Sequence, residues 1–245
     1  MAKNHILLLI FVFGILIGSF LNACIYRIPR NISIIQPRSF CIHCGKQLKW
    51  WQNLPLVSFI LLHGKCFYCK QKISCQYPLV EIGAGTLSII LFYKFTAIDS
   101  LIFFLVFSYF LLVISIIDAV FYKIPNKILL HLLLIGLTLN LLYNIIPWDM
   151  AIIGFLASGF FLIIIRTLGY LILKKETLGI GDIKFAFVVG FFLGFTNFLM
   201  ALLVGSVMAI MVSIFLYPSS GNFRYQQMPM APYLSVGILV ILIFS

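Results

Sequence analysis

The 245 residues are 63% hydrophobic and only 9% charged, with a mean hydropathy of +1.15. Soluble domains are roughly 45–50% apolar and about 25% charged, so a soluble enzyme, a coiled coil and a disordered chain are excluded. Seventeen Lys and Arg against six Asp and Glu leave a net charge of +11. That excess fits loops retained on the cytoplasmic side of a membrane, and no nucleic-acid partner is expected.

The expected fold is an all-α polytopic membrane protein with about eight transmembrane helices. Apolar runs approach the roughly 20 residues that cross a bilayer at about 6–25, 78–95, 101–119, 128–147, 150–172, 184–196, 198–217 and 232–245. The sixth and eighth are short, and the sixth and seventh are separated only at Gly194 to Asn197. The chain divides accordingly into a first helix (1–26), a small loop domain (27–77) and a membrane domain of about seven helices (78–245).

Between the first two spans, residues 27–76 hold Arg27, Arg30, Arg38, Lys46, Lys49, Lys65, Lys70 and Lys72 and no acid. With this loop inside, alternation also places Lys123, Lys127, Lys174, Lys175, Lys184 and Arg224 inside, leaving Lys3 and Lys94 outside. Both termini then lie outside. Leu21-Asn22-Ala23-Cys24 has the form of a lipoprotein cleavage box, but cleavage there would send the basic loop outward, against that bias.

The loop carries Cys41-x-x-Cys44 and Cys66-x-x-Cys69. Two such knuckles supply four thiolates, the complement of a closed structural Zn²⁺ site. Gly45 and the surrounding cations favour turn and thiolate. Disulfides and redox-active pairs are the alternatives, and disulfides need an oxidising compartment. Metal would supply much of the folding energy of so small a loop. Cys24 reads as a small buried residue and Cys75 as a spare, while His43 and His63 fall near the knuckles without a place in a four-cysteine shell.

Ionisable groups next to spans are costly and mark function. Asp99, Asp149 and Glu176 read as solvated loop charges, and Glu81, at the start of the second span, as a partner for a basic loop residue. Asp118 closes the third span and Asp182, in Gly179-Ile-Gly181-Asp182-Ile-Lys184, opens the sixth. Both fall at the inner face. Two carboxylates held close share a proton, so one can act as base on a water while the other hydrogen-bonds a substrate carbonyl. The glycines let backbone leave helix geometry beside an extended substrate. The plainer alternative makes the aspartates caps or ion-pair partners of Lys123 and Lys184.

These residues resemble the bacterial type IV prepilin peptidases over most of the chain. The resemblance runs through Gly18-Ser-Phe-Leu-Asn22, Tyr26-Arg-Ile-Pro29, the paired knuckles, Asn53-Leu-Pro-Leu-Val-Ser58, Gly64-Lys-Cys66 and Tyr77-Pro-Leu-Val-Glu81. It continues with Asp118, Ile124-Pro-Asn126, the Gly179–Lys184 motif and Pro229-Met-Ala-Pro-Tyr-Leu-Ser-Val-Gly237. It implies an aspartic endopeptidase of the inner membrane, with Asp118 and Asp182 cutting prepilin or pseudopilin leaders on the cytoplasmic side after a glycine. It further implies N-methylation of the new terminus from S-adenosylmethionine, associated with the cysteine loop, Gly64 and Glu81. Gln52 stands where the family often has an acid, and Ala231 where it has a glycine; neither substitution is expected to touch the aspartate pair.

Gly83-Ala-Gly85 lies inside an apolar span and reads as a helix-packing face. Besides the bifunctional enzyme, the sequence admits a peptidase with a purely structural zinc loop. A transporter fits less well, because both aspartates sit at one face and no repeat appears. A zinc-bearing assembly protein leaves Gly-x-Gly-Asp unexplained.

Overall fold

The computed structural model describes residues 2–174, 178–216 and 228–244. Lys175, Glu176 and Arg224, used above in the charge distribution, lie outside the described residues. The described chain is helical, with eight α-helices and no strand beyond two isolated bridges. It forms two units, Met1–Thr96 and Ala97–Ser245.

In the first unit α1 (Ala2–Arg27) packs along α3 (Gln76–Lys94), with α2 (Val57–Leu61) in the intervening loop. Small residues bring the two long helices together: a Cβ on Gly18 would lie 2.7 Å from Glu81 Cα, and one on Gly85 2.7 Å from the Phe11 ring. Close backbone approach of this kind replaces the hydrophobic driving force that lipid cannot supply. The Gly83–Gly85 stretch thus serves helix packing, and Cys24, inside α1, is buried.

The second unit comprises α4 (Ile98–Phe121), α5 (Asn126–Tyr143), α6 (Trp148–Leu173), α7 (Ile180–Leu216) and α8 (Ala231–Phe244). Its core holds Phe103, Phe107 and Phe192, with the last two rings stacked 4.3 Å apart. Gly154 of α6 and Gly190 of α7 meet backbone to backbone, and Gly205 of α7 faces Tyr233 of α8. Helix α7 breaks at Gly194, where φ is 74° and ψ 167°, a region that residues with a Cβ rarely enter. The break falls within the expected 194–197 boundary, so α7 is two rods, 180–193 and 195–216.

With that break, the eight expected spans correspond to α1, α3, α4, α5, α6, the two limbs of α7, and α8. Five helices, α1 and α4 to α7, are long and apolar enough to cross a membrane, and their exposed surfaces carry residues such as Leu9, Leu141, Ile172 and Leu203. Such surfaces suit lipid rather than water. The chain is a multi-pass membrane protein.

Candidate active site and metal centre

In the second unit the ends of three helices meet. Helix α4 stops at Tyr122, whose left-handed conformation (φ 53°) lets its N–H donate to Asp118 O at 2.8 Å. This is a common way to terminate a helix, and it leaves the buried Asp118 side chain one turn from the end. Asp182 lies in the first turn of α7, half-buried, and its Oδ2 accepts the Gly179 N–H at 3.3 Å, as an acid at the third helical position does in a capping box. The first residue of α8, Ala231, donates its N–H to Asp118 Oδ2 at 3.0 Å. With Gly181 against Ile124 and Ala231 bonded to Asp118, the two aspartates stand where the end of α4 and the starts of α7 and α8 come together.

Around them, a Cβ on Gly181 would lie 3.3 Å from Ile124 Cβ, so the α4–α5 connection lies against the start of α7. Lys184 Nζ donates to Asn126 Oδ1 at 3.0 Å. The lysine thus braces that connection rather than pairing with Asp182. Among the described residues neither aspartate has a lysine or arginine partner, which removes the main support for the ion-pair alternative.

One expectation is overturned here. Ala231 does touch the aspartate pair, through its backbone amide. Because the contact is made by the main chain, alanine and glycine both provide it, and the side-chain substitution is neutral toward this bond.

In the first unit the two knuckles share one backbone pattern. Cys41 N–H donates to Lys46 O and Gly45 N–H to Cys41 O, both at 2.9 Å; Cys66 N–H donates to Gln71 O at 2.8 Å and Lys70 N–H to Cys66 O at 3.0 Å. An isolated bridge closes each turn, Phe40 to Gln47 and Lys65 to Lys72. Gly45 (φ 70°) and Lys70 (φ 60°) occupy the same left-handed position.

The four Sγ atoms lie within 4.8 Å of one another, and Cys41 and Cys69 are 3.8 Å apart. That separation is far beyond a disulfide bond of about 2.05 Å. It matches the roughly 3.8 Å edge of a sulfur tetrahedron with metal–sulfur bonds of about 2.3 Å. Burial pushes the Cys66 thiol up, but the Cys69 and Tyr68 amides and the neighbouring thiols outweigh it and bring it to about 7. At Cys69 the Gln71 amide favours thiolate, while burial and the thiols around it hold the group at about 11. A cluster that resists ionising all its thiols at once is one that a divalent cation would relieve. The four cysteines can hold a metal ion; His43 and His63 are exposed and outside the cluster.

Gly64, at φ 65°, ends the turn after α2; its N–H donates to Phe59 O at 2.8 Å. Glu81 is buried, and its Oε2 accepts the Leu56 N–H at 2.8 Å. The expected neutralisation by a loop cation is not found among the described residues. An amide donor satisfies the carboxylate instead, because Leu56, at the mouth of α2, has an N–H outside the helix ladder. Two further buried polar residues had no assigned role in the sequence reading. Arg27 donates to the Ser33, Ile34 and Pro37 carbonyls at 3.0, 2.9 and 2.7 Å, latching the loop. Asn22 donates to Tyr77 O at 3.0 Å. Its position as a polar residue inside an apolar span was the available signal.

Comparison with known proteins places these two units in a class of membrane peptidases. Residues 12–95 match the Bacterial Peptidase A24 N-terminal domain and residues 105–214 the Type IV leader peptidase family. The chain belongs to the type IV leader peptidase family. A prepilin leader peptidase/N-methyltransferase of Pseudomonas putida is 30% identical, the match covering 96% of this chain and 90% of that protein. Proteins described in the same words from Legionella pneumophila (28%; 95% and 89% covered) and Neisseria gonorrhoeae (30%; 86% and 82%) are similar to it as well. No solved structure matches.

Proposed function

We propose that this protein is an aspartic endopeptidase of the bacterial inner membrane that removes the leader of prepilin-like substrates and methylates the new N-terminus. The observation that carries the reading is the placement of Asp118 and Asp182 where α4, α7 and α8 come together, with no lysine or arginine paired to either among the described residues. Each carboxylate has one oxygen held by a backbone amide, which fixes its orientation without supplying a counter-charge.

In cleavage, the ionised carboxyl takes a proton from water as the water oxygen attacks the scissile carbonyl carbon. The protonated carboxyl hydrogen-bonds the carbonyl oxygen as charge develops there. Collapse of the tetrahedral adduct breaks the C–N bond, and the amine leaves with a proton returned from the pair. Gly181 lets the α4–α5 connection lie close against the start of α7, and Lys184 with Asn126 fixes that connection. The substrate is cut after a glycine, on the cytoplasmic side.

The charge distribution supports a topology with both termini outside and the 27–77 loop in the cytoplasm. Cys41, Cys44, Cys66 and Cys69 hold a structural Zn²⁺, which would pin the two knuckles together when bound. S-adenosylmethionine supplies the methyl group, and the relatives' descriptions as N-methyltransferases support that second activity.

The test is mass spectrometry of a prepilin-like substrate incubated with membranes containing this protein and S-adenosylmethionine. A shortened product carrying one added methyl group supports both activities. Processing by Asp118→Asn or Asp182→Asn at the wild-type rate would remove the catalytic assignment, and cleavage without methylation would leave a peptidase with a structural zinc loop.

A further inference from the structure

In the first unit an open hollow of about 470 Å3 lies between α1 and the loop that follows it. Its floor is α1 itself, through Leu16, Phe20 and Ala23. Leu9, Phe13, Leu16 and Phe20 are all exposed along that helix. Spacings of four, three and four place those side chains on one face, so an uncovered apolar stripe runs up α1 into the hollow. Leu16 lies eleven residues before Arg27, about 16 Å along the helix axis. On a helix long and apolar enough to cross a membrane, that is acyl-chain depth.

The opposite wall comes from the loop and has a different chemistry. It carries two exposed cations, Arg38 and Lys49, beside Ile34, Ile35 and Trp50. The 27–76 loop holds no acid to pair with them. Arg27 also lines the hollow, but its guanidinium is committed to three carbonyls. Ile35 is 86% exposed and Trp50 75%, which water disfavours and a headgroup boundary suits, since indole rings gather there. One wall is apolar and the other cationic, in the order in which a phospholipid presents its chain and its phosphate.

We propose that this hollow binds one anionic glycerophospholipid, with its phosphate between Arg38 and Lys49, its glycerol beside Trp50 and an acyl chain along Phe20, Leu16 and Phe13. The volume falls within the roughly 300–1,000 Å3 of a small-molecule site, enough for a headgroup and the start of its chains. The rest of the chain lies on the α1 stripe. A free phosphate leaves the apolar floor uncovered, and a zwitterionic lipid brings an ammonium that the two cations repel. An anionic lipid satisfies both walls, and basic segments next to a span are drawn to such headgroups. The bound lipid fills the gap between α1 and the loop, so it ties residues 34–50 to the membrane surface.

The test reconstitutes the purified full chain in phosphatidylcholine vesicles with a small fraction of phosphatidylglycerol whose brominated chains quench nearby indoles. Quenching should show about tenfold tighter association than brominated phosphatidylcholine, since each of the two cations favours an anionic surface. Trp50→Phe should remove most of that difference, because neither Trp51 nor Trp148 lines the hollow. Arg38→Gln with Lys49→Gln should abolish the preference. Lys46→Gln with Lys65→Gln takes the same charge from the loop outside the hollow and should keep it. Equal quenching by the two lipids, or equal loss in both double variants, overturns the site, the second outcome by tracing the preference to diffuse charge. Displacement of the brominated lipid by inorganic phosphate overturns the lipid in favour of a phosphate site. A second measurement needs no variant: phosphatidylglycerol with a photoreactive chain should label the wild-type peptide bearing Leu16 and Phe20, and unlabelled phosphatidylglycerol should compete better than phosphatidylcholine. Equal competition, or no label on that peptide, overturns the proposal.

Discussion

Asp182→Asn separates the two uses the structure gives Asp182. The side chain accepts the Gly179 N–H at 3.3 Å and stands with Asp118 where α4, α7 and α8 come together. Asparagine keeps a carbonyl oxygen for the first use and loses the charge and proton needed for the second. The structural cost is therefore small. Loss of the charge from a bond near a helix N-terminus is worth about 0.3–1 kcal/mol, at most roughly 4 °C in melting temperature for a chain of this length. The catalytic cost is much larger, since removing a positioned acid or base slows reactions by about 10²–10⁴, or about 3–5 kcal/mol of barrier. Single-turnover cleavage read by mass spectrometry, with melting followed on the same preparation, measures both. Asp182→Ala should lower the melting temperature further, because it also removes the capping bond. Cleavage by Asp182→Asn at more than a tenth of the wild-type rate would refute the catalytic reasoning, and lost cleavage with a fall of more than about 10 °C would trace the defect to folding.

Stripping metal with a chelator should open the 40–72 loop to protease while prepilin cleavage persists, because the cysteines belong to the first unit and the aspartates to the second. Equal loss of cleavage would argue against that separation. Lys70→Gly should slow metal release to a colorimetric chelator and Gly45→Ala should speed it, since both positions are left-handed and a Cβ there costs about 1 kcal/mol. Arg27→Met removes three charge-assisted bonds to an exposed loop. About 3 kcal/mol of local stability should go with them, seen as roughly 100-fold faster amide exchange across 31–38; unchanged exchange would show that the latch adds nothing.

Span positions were readable because long apolar runs leave little freedom in a membrane, and the cysteines because two identical spacings imply a common centre. The break at Gly194 was harder to see, since apolar residues continue on both sides and only the glycine marks it. Side-chain direction was not readable at all for Arg27. It counts as a loop cation in the charge distribution, yet it is buried at the end of α1 and donates to the chain that follows. Glu81 was expected to find a cation, and the plainer alternative paired Lys184 with an aspartate, both on the general attraction of opposite charges. The structure gives each a neutral partner, a backbone amide and Asn126, because local geometry places those groups nearer. Ala231 escaped for a related reason: its contact uses backbone atoms, which the residue's identity does not advertise.

The break in α7 also has a mechanical meaning. The limb carrying Asp182 is seated on α6 through Gly154 and Gly190, while the limb beyond Gly194 is seated on α8 through Gly205 and Gly237. Helix α8 in turn delivers the amide that orients Asp118. The first limb thus carries Asp182, while the second seats the helix whose amide orients Asp118, itself on α4. A Cβ at position 194 would meet nothing within 4 Å, so crowding does not exclude a side chain there. The torsion angle does, and any residue that relaxed it would shift the amide that orients Asp118 without touching either acid.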